Sequence, residues 1–162
     1  DTEVQHLQEM ISRMAVHKGS AFLEIYQNCI VFNDGAFDEL KDRKSKADHL
    51  LVLEHGKPLV FGKSGDACVK LDTARMRLYV GKLGEKDGGV EVVHDESNPD
   101  PALAMLLARC RPPEFPTPIG VLRAVSAPTF EDQSLAQKNA ELAARGEGSL
   151  EQLLYSGDRW DV

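Results

Sequence analysis

The spacing of apolar residues predicts a helix followed by a strand at the start of the chain. Apolar side chains recur every three or four positions from Val4 to Met14, which predicts an amphipathic helix over residues 1–18. Gly19 stands where helices commonly end in glycine, and the mostly apolar run 21–26 predicts a buried strand. A helix, a tight turn and a buried strand form half of an α/β unit, so we expect neighbouring strands from outside this chain.

Short apolar runs separated by turn residues predict a β-rich middle segment. The runs 50–53 and 58–61 flank a turn that contains Gly56, a pattern typical of a hairpin. Further short strands are expected at residues 68–71, 77–80 and 90–94. These runs predict a small region of mainly antiparallel strands.

Helix and connector signals follow this region. Asp100 precedes Pro101, and proline is favoured in the first turn of a helix, so a helix is predicted over residues 101–109. The proline-rich run 112–118 predicts an extended connector, because proline disrupts helices and central strands. A last strand is expected at residues 119–125.

The end of the chain predicts a helical arm. Thr129 is a favourable N-cap for a helix over residues 129–145, and Gly146 ends it. Residues 150–155 predict one more turn or two. The order of elements therefore predicts an α/β fold class, in which a helix–strand unit precedes a small mixed α+β extension and a helical tail.

Composition and charge exclude two kinds of partner. The chain has 162 residues, of which 28% are charged, and its net charge is −7. Nucleic-acid phosphates require a basic face, and anionic membrane surfaces attract basic segments, so neither partner is expected. No apolar run approaches the roughly 20 residues of a membrane-spanning helix.

The cysteine pattern predicts a reducing compartment. An odd count of three, with no C-x-x-C pair, does not resemble a disulfide framework or a self-contained zinc site. Cytoplasmic localisation is therefore expected.

Cys29 is the best candidate for chemistry among the cysteines. It follows the predicted strand 21–26, and ligands bind at the carboxyl ends of strands in open α/β sheets. Cys68 falls within a predicted strand and Cys110 at a helix end, so both are expected to be structural.

Several motifs together resemble a known family. Residues 17–29, which end in Gln27-Asn28-Cys29, resemble a signature of the β subunits of 2-oxoacid:ferredoxin oxidoreductases. The continuation at residues 32–37 is especially similar to the 2-oxoglutarate branch. Further similar motifs lie, in order, at residues 55–58, 61–62, 93–95, 115–121 and 128–129. The resemblance covers roughly residues 1–132.

The resemblance implies an activity and a set of cofactors. Such an enzyme decarboxylates a 2-oxoacid on thiamin diphosphate with Mg²⁺, passes electrons through a 4Fe–4S cluster to ferredoxin, and transfers the acyl group to coenzyme A. The β subunit carries the thiamin-diphosphate domain and the cluster, and it pairs with an α subunit. The cofactors perform the difficult chemistry, and the protein positions them.

The resemblance also implies roles for particular residues. In the family, three of the four cluster thiolates come from the N-terminal half of the β subunit, and the fourth comes from the position of Cys29. The neighbouring Gln27, Asn28 and Asn33 are expected to hydrogen-bond the cluster sulfurs or to shape the cofactor pocket. Turn formation is the alternative explanation for the asparagines.

The sequence departs from the family pattern in one important respect. The family's Gly-Asp-Gly…Asn motif for the metal and diphosphate lies upstream, as does its C-x-x-C pair, and neither occurs in these residues. We therefore expect the C-terminal part of a β subunit, which is inactive alone and requires the N-terminal half. Residues 1–33 would end the thiamin-diphosphate sheet, residues 34–128 would form the β-subunit extension, and residues 129–162 the helical tail.

Two other functions stay open. The chain is alternatively a non-catalytic subunit-association module derived from the same extension. A small α/β reductase with Cys29 as a redox thiol is the third possibility, and it requires an electropositive setting that lowers the thiol pKa.

Overall fold

The computed structural model describes residues 3–158 and residue 160, which fall into two compact units. The larger unit contains the first helix and residues 21–125, and the smaller contains residues 17–20 and the chain from Ser126 onward. The divisions expected at residues 33 and 128 rest on the family resemblance and stay predictions.

The larger unit combines four helices with six short strands in its described part. The helices are α1 (Val4–Val16), α2 (Asp38–Lys41), α3 (Lys46–His49) and α4 (Ala102–Ala108). The strands are β1 (Leu50–Leu53), β2 (Val60–Phe61), β3 (Ala67–Asp72), β4 (Arg77–Lys82), β5 (Val90–Glu91) and β6 (Thr117–Gly120).

The smaller unit carries the predicted helical arm. It contains α5 (Phe130–Arg145) and α6 (Leu150–Leu154), and neither helix has a buried residue. The Thr129 side chain accepts a hydrogen bond from the Asp132 backbone, and the Asp132 carboxylate accepts one from the Thr129 backbone. This reciprocal capping confirms the predicted start of the helix.

The strands form one antiparallel and one parallel sheet. Strand β3 is antiparallel to β2, β4 and β5. Strand β1 runs parallel to β6, with Leu50 opposite Thr117 and Leu53 opposite Gly120. The expected mixture of helices with small sheets is therefore confirmed, whereas the thiamin-diphosphate sheet unit stays a prediction.

The predicted pairing of residues 50–53 with residues 58–61 as a hairpin is wrong. Strand β1 pairs with β6, because the turn after β1 bonds to the segment beyond β5. The Gly56 N–H donates to the His94 carbonyl at 2.8 Å, and the His94 N–H donates to the Lys57 carbonyl at 2.9 Å. These bonds direct the chain into the antiparallel sheet and away from β1.

The predicted strand at residues 21–26 is not formed in this chain. Residues 21–28 have no regular secondary structure, and Phe22 is 91% exposed. A strand requires a neighbour that faces its N–H and C=O groups. Within residues 3–158, no segment supplies that neighbour to this run.

The predicted last strand is shorter than residues 119–125. Strand β6 ends at Gly120, and the Val121 carbonyl lies 2.8 Å from Nε2 of the buried His94. Further along, the Ala124 N–H donates to the Glu96 carbonyl at 2.6 Å. The backbone after Gly120 therefore bonds to the segment that follows β5 and leaves the parallel sheet.

The core lies between the two sheets and α4. Its fully or nearly fully buried apolar residues include Leu51, Leu59, Val69 and Leu107. Helix α4 begins at Ala102, one residue after the predicted start, because Pro101 occupies the N-cap position. The Asp100 carboxylate accepts a hydrogen bond from the Ala102 N–H at 2.9 Å. None of the helices in the described residues has the length and apolar character to cross a bilayer.

One charged side chain is buried beside this core. Lys70 in β3 is fully buried, and its Nζ donates to the Glu85 carbonyl at 2.7 Å and lies 3.2 Å from Asp87 Oδ1. Burial requires that the ammonium be paired. These contacts fix the loop between β4 and β5 against the sheet.

Leu107→Ala is expected to destabilise the chain by about 3 kcal/mol, because it leaves a cavity in the core. Leu107 is 0% exposed, whereas Met105 of the same helix is 63% exposed. Met105→Ala is therefore the matched control and should change the free energy of unfolding by less than about 0.5 kcal/mol. Urea denaturation measures both, and equal losses would contradict the assigned core.

Asp87→Asn is expected to weaken the dependence of stability on acidic pH. Burial raises the Asp87 pKa, but the Gly89 N–H and hydrogen bonds from Lys70 and Tyr79 outweigh that effect and lower the pKa. A pKa that is lower in the folded state than in the unfolded state adds stability at pH values above the unfolded-state pKa. That stability is lost as the pH falls through the folded-state pKa.

The measurement compares thermal midpoints at neutral and acidic pH for Asp87→Asn and for Glu85→Gln, a control in the same loop. We expect the native chain and Glu85→Gln to lose stability alike on acidification, and Asp87→Asn to lose less. An unchanged acid response in Asp87→Asn would show that this carboxylate does not contribute.

Candidate functional site

Cys29 lies on an exposed loop before α2. The Asn33 N–H donates to the Cys29 carbonyl at 2.9 Å, and these two residues form an isolated antiparallel bridge. The bridge closes a tight turn over the residues between them. Cys29 therefore has a defined backbone position even though the predicted strand before it is absent.

The side chain of Asn28 holds this loop together. Its Nδ2 donates to Asp34 Oδ1 at 2.9 Å, and its Oδ1 accepts from the Gly35 N–H at 3.0 Å. Gly35 has a φ of +76°, a conformation that glycine adopts without strain. The two bonds join the residue before Cys29 to the end of the turn.

Aromatic packing supports the base of the loop. The rings of Tyr26 and Phe37 stack with centroids 5.2 Å apart. One residue precedes the loop and the other follows it, so their contact brings its two ends together. Stacked aromatic pairs of this kind contribute beyond the area that they bury.

The backbone of the turn lowers the pKa of the Cys29 thiol. Backbone hydrogen bonding by Phe32 lowers this pKa most, with Val31 and Asn33 contributing, and together they outweigh the desolvation that raises it. The thiolate is the form of cysteine that binds metals and acts as a nucleophile. The loop therefore favours the chemically competent form of an accessible sulfur.

The turn also exposes a group of large apolar side chains. Phe32 is 90% exposed, and Ile30 and Val31 are exposed beside it. Neighbouring exposed apolar residues commonly mark a surface that another molecule covers. The candidate site is thus an accessible sulfur bordered by apolar side chains.

The other predicted site residues lie in the same loop but differ in their contacts. Asn28 uses both ends of its carboxamide within the loop. Asn33 contributes a backbone hydrogen bond, and its side chain is exposed, as is that of Gln27. The loop places all three near Cys29, and their roles toward a cofactor stay predictions.

The other two cysteines differ from Cys29 in their burial and in the pKa of their thiols. Cys68 and Cys110 are buried, and burial raises the pKa of each thiol. Among residues 3–158 and 160, no three or more His, Cys, Asp or Glu side chains are grouped to hold a metal. Cys29 can therefore supply one metal ligand but not a complete site.

Sequence reasoning missed Asp34 and Gly35 as supports of the Cys29 loop. The Asn33-Asp34-Gly35 run does signal a turn. That signal does not reveal which side chain bonds across the turn, because Asn28 lies outside the run.

Comparison with known proteins identifies a relative. The chain is 35% identical over 167 aligned residues to the 2-oxoglutarate oxidoreductase subunit KorB of Mycobacterium tuberculosis. The match includes 100% of this chain. The chain is similar to this 2-oxoglutarate oxidoreductase subunit along its whole length. This relationship confirms the resemblance that its motifs indicated.

The match covers part of the length of the relative. The chain spans 43% of the length of KorB. No family model matches the sequence, and no solved structure matches it.

Cys29 is expected to react with iodoacetamide before the other two cysteines in the native chain. It is exposed and its pKa is lowered, whereas Cys68 and Cys110 are buried thiols with raised pKa values. We expect a rate difference of at least about tenfold at neutral pH. Peptide mass mapping of timed samples measures the three rates.

Alkylation of the denatured chain is the control, and there all three thiols should react at similar rates. Equal rates in the native chain would contradict the exposed placement of Cys29.

Proposed function

We propose that this chain is the C-terminal part of the β subunit of a 2-oxoglutarate, or 2-oxoacid, ferredoxin oxidoreductase. The observation that carries the proposal is the match to KorB along the entire chain. The complete enzyme would convert a 2-oxoacid to its acyl-coenzyme A and pass the electrons through a 4Fe–4S cluster to ferredoxin. The chain would act as part of that complex and would be inactive alone.

Cys29 is proposed as one thiolate ligand of the 4Fe–4S cluster. Its exposure and the backbone hydrogen bonding that lowers its pKa fit this role. Four thiolates usually hold such a cluster, and the other two cysteines are buried. The remaining ligands would come from outside this chain, and the family resemblance implies the N-terminal half of the β subunit as their source. The bound cluster would supply one-electron transfer.

Gln27 and Asn33 are proposed to lie beside the bound cluster. Both side chains are exposed in the Cys29 loop, which leaves their amide groups available to a neighbouring cofactor. Hydrogen bonds to cluster sulfurs change the reduction potential. Their contribution would thus be to adjust electron transfer.

Thiamin diphosphate and Mg²⁺ would be bound mainly by the N-terminal half of the subunit. The described residues do not fit these groups, because they contain no grouped metal ligands and the sequence lacks the diphosphate motif. The decarboxylation step is accordingly not assigned to any residue of this chain.

The proposed partners are proteins and small molecules. They are the N-terminal half of the β subunit, the α subunit, ferredoxin, the 2-oxoacid and coenzyme A. The exposed apolar residues of the Cys29 loop favour a protein neighbour there. The three cysteines are free, which fits the proposed cytoplasmic localisation.

A non-catalytic subunit-association module is the second candidate. The exposed apolar side chains of the Cys29 loop favour it as well, because association alone would explain them. The two functions differ in whether Cys29 binds iron. The enzyme subunit requires Cys29 as an iron ligand, and the association module does not.

Cys29→Ala in the intact complex is expected to abolish ferredoxin reduction and to reduce cluster iron. Removing one of four thiolates opens the cluster to loss of iron. Cys110→Ala is the matched control, because it removes a buried thiol that the proposal assigns to packing. Iron analysis and the electron paramagnetic resonance spectrum of the reduced cluster provide the measurement.

The association module predicts a different result from the same samples. In that case Cys29→Ala would leave iron, spectrum and subunit assembly at the level of Cys110→Ala. That outcome would refute the proposed ligand role of Cys29.

A further inference from the structure

We propose that Asn28 is a positioning residue for Cys29, whose carboxamide holds the loop in shape and makes no contact with the cluster. This inference rests on the proposed function of Cys29 as a cluster ligand. It assigns Asn28 a role different from the direct cofactor contact that the sequence suggested.

The hydrogen bonds of Asn28 carry the inference. Its Nδ2 donates to Asp34 Oδ1 at 2.9 Å, and its Oδ1 accepts from the Gly35 N–H at 3.0 Å. An amide offers two N–H donors and an acceptor oxygen, and one N–H and the oxygen are engaged within the loop. These two bonds orient the carboxamide toward Asp34 and Gly35 before any cofactor approaches.

The loop depends on the two hydrogen bonds of Asn28 with Asp34 and Gly35, here called the brace, because the tip of the loop has little packing. Ile30, Val31 and Phe32 are all largely exposed. The backbone bond between Cys29 and Asn33 closes the tip, and the Asn28 bonds close the wider loop around it. Loosening the brace should therefore release the backbone that carries the sulfur.

The Asn28 bonds also enclose the backbone turn that carries the sulfur. The Asn33 N–H donates to the Cys29 carbonyl at 2.9 Å, so the turn between these residues sets the position of the thiol. Groups that orient a metal ligand change the properties of the metal site. Asn28 would act on the cluster through this turn.

The chemistry of the brace permits an exchange test. Asn28→Asp keeps an acceptor for Gly35 but places a second carboxylate against Asp34. The double variant N28D/D34N restores a donor and an acceptor, because the new amide at position 34 can donate to the new carboxylate at position 28. Asn139→Asp on α5 is the control for the same substitution elsewhere.

Two readouts separate positioning from direct contact. Hydrogen exchange of the Gly35 amide in the 162-residue chain reports the brace, and Asn28→Asp should accelerate it by about tenfold. The rate of iron loss to a chelator in the intact complex reports the cluster, and it should rise in the same variant. N28D/D34N should restore both rates, and Asn139→Asp should change neither.

Several results would overturn the inference. Faster iron loss with unchanged Gly35 exchange would indicate that Asn28 contacts the cluster directly. Faster exchange with unchanged iron loss would show that the brace does not position Cys29. A double variant as impaired as Asn28→Asp would contradict the exchanged hydrogen bond.

Failure of the proposed function gives a separate result. If Cys29→Ala retains its iron, Cys29 is not a ligand, and the cluster role of Asn28 fails with it. The Gly35 exchange rates in the chain would still show whether the brace exists.

Discussion

The larger unit depends on the parallel pairing of β1 with β6, which joins segments far apart in the chain. This pairing places Leu50 opposite Thr117 and Leu53 opposite Gly120. The antiparallel sheet and α4 lie between these strands in sequence, so the pairing encloses the core around Leu107. The approach at Gly120 is close: a Cβ there would lie 2.9 Å from the Leu53 carbonyl oxygen, and glycine avoids that contact.

The sequence patterns predicted local elements better than their partners. Turn residues located β3 and β4, and Thr129 located the start of α5, because these signals depend on neighbouring residues. The pairing of β1 was not predictable in this way, since its partner lies beyond the whole antiparallel sheet. The run 21–26 has the composition of a strand, but the described residues provide no partner for it. The apolar composition of this run indicates a tendency to be buried. Strand pairing also requires a second segment that bonds to it.

The candidate site shows the same division between local and distant information. The position of Cys29 and its resemblance to a family signature were readable from the sequence. The bond from Asn28 to Asp34 was not, because several polar residues in the turn are equally able to form it. The apolar tip around Phe32 lies outside the core of the larger unit. An accessible sulfur beside apolar side chains is what a shared site requires when another polypeptide completes it.

Denaturing mass spectrometry combined with iron analysis of the complex purified through this chain tests the account most directly. The account predicts that this region is recovered together with a polypeptide region that carries the thiamin-diphosphate motif and further cluster cysteines, with an α subunit and with iron. Recovery of a single 17.8 kDa species without iron would contradict it.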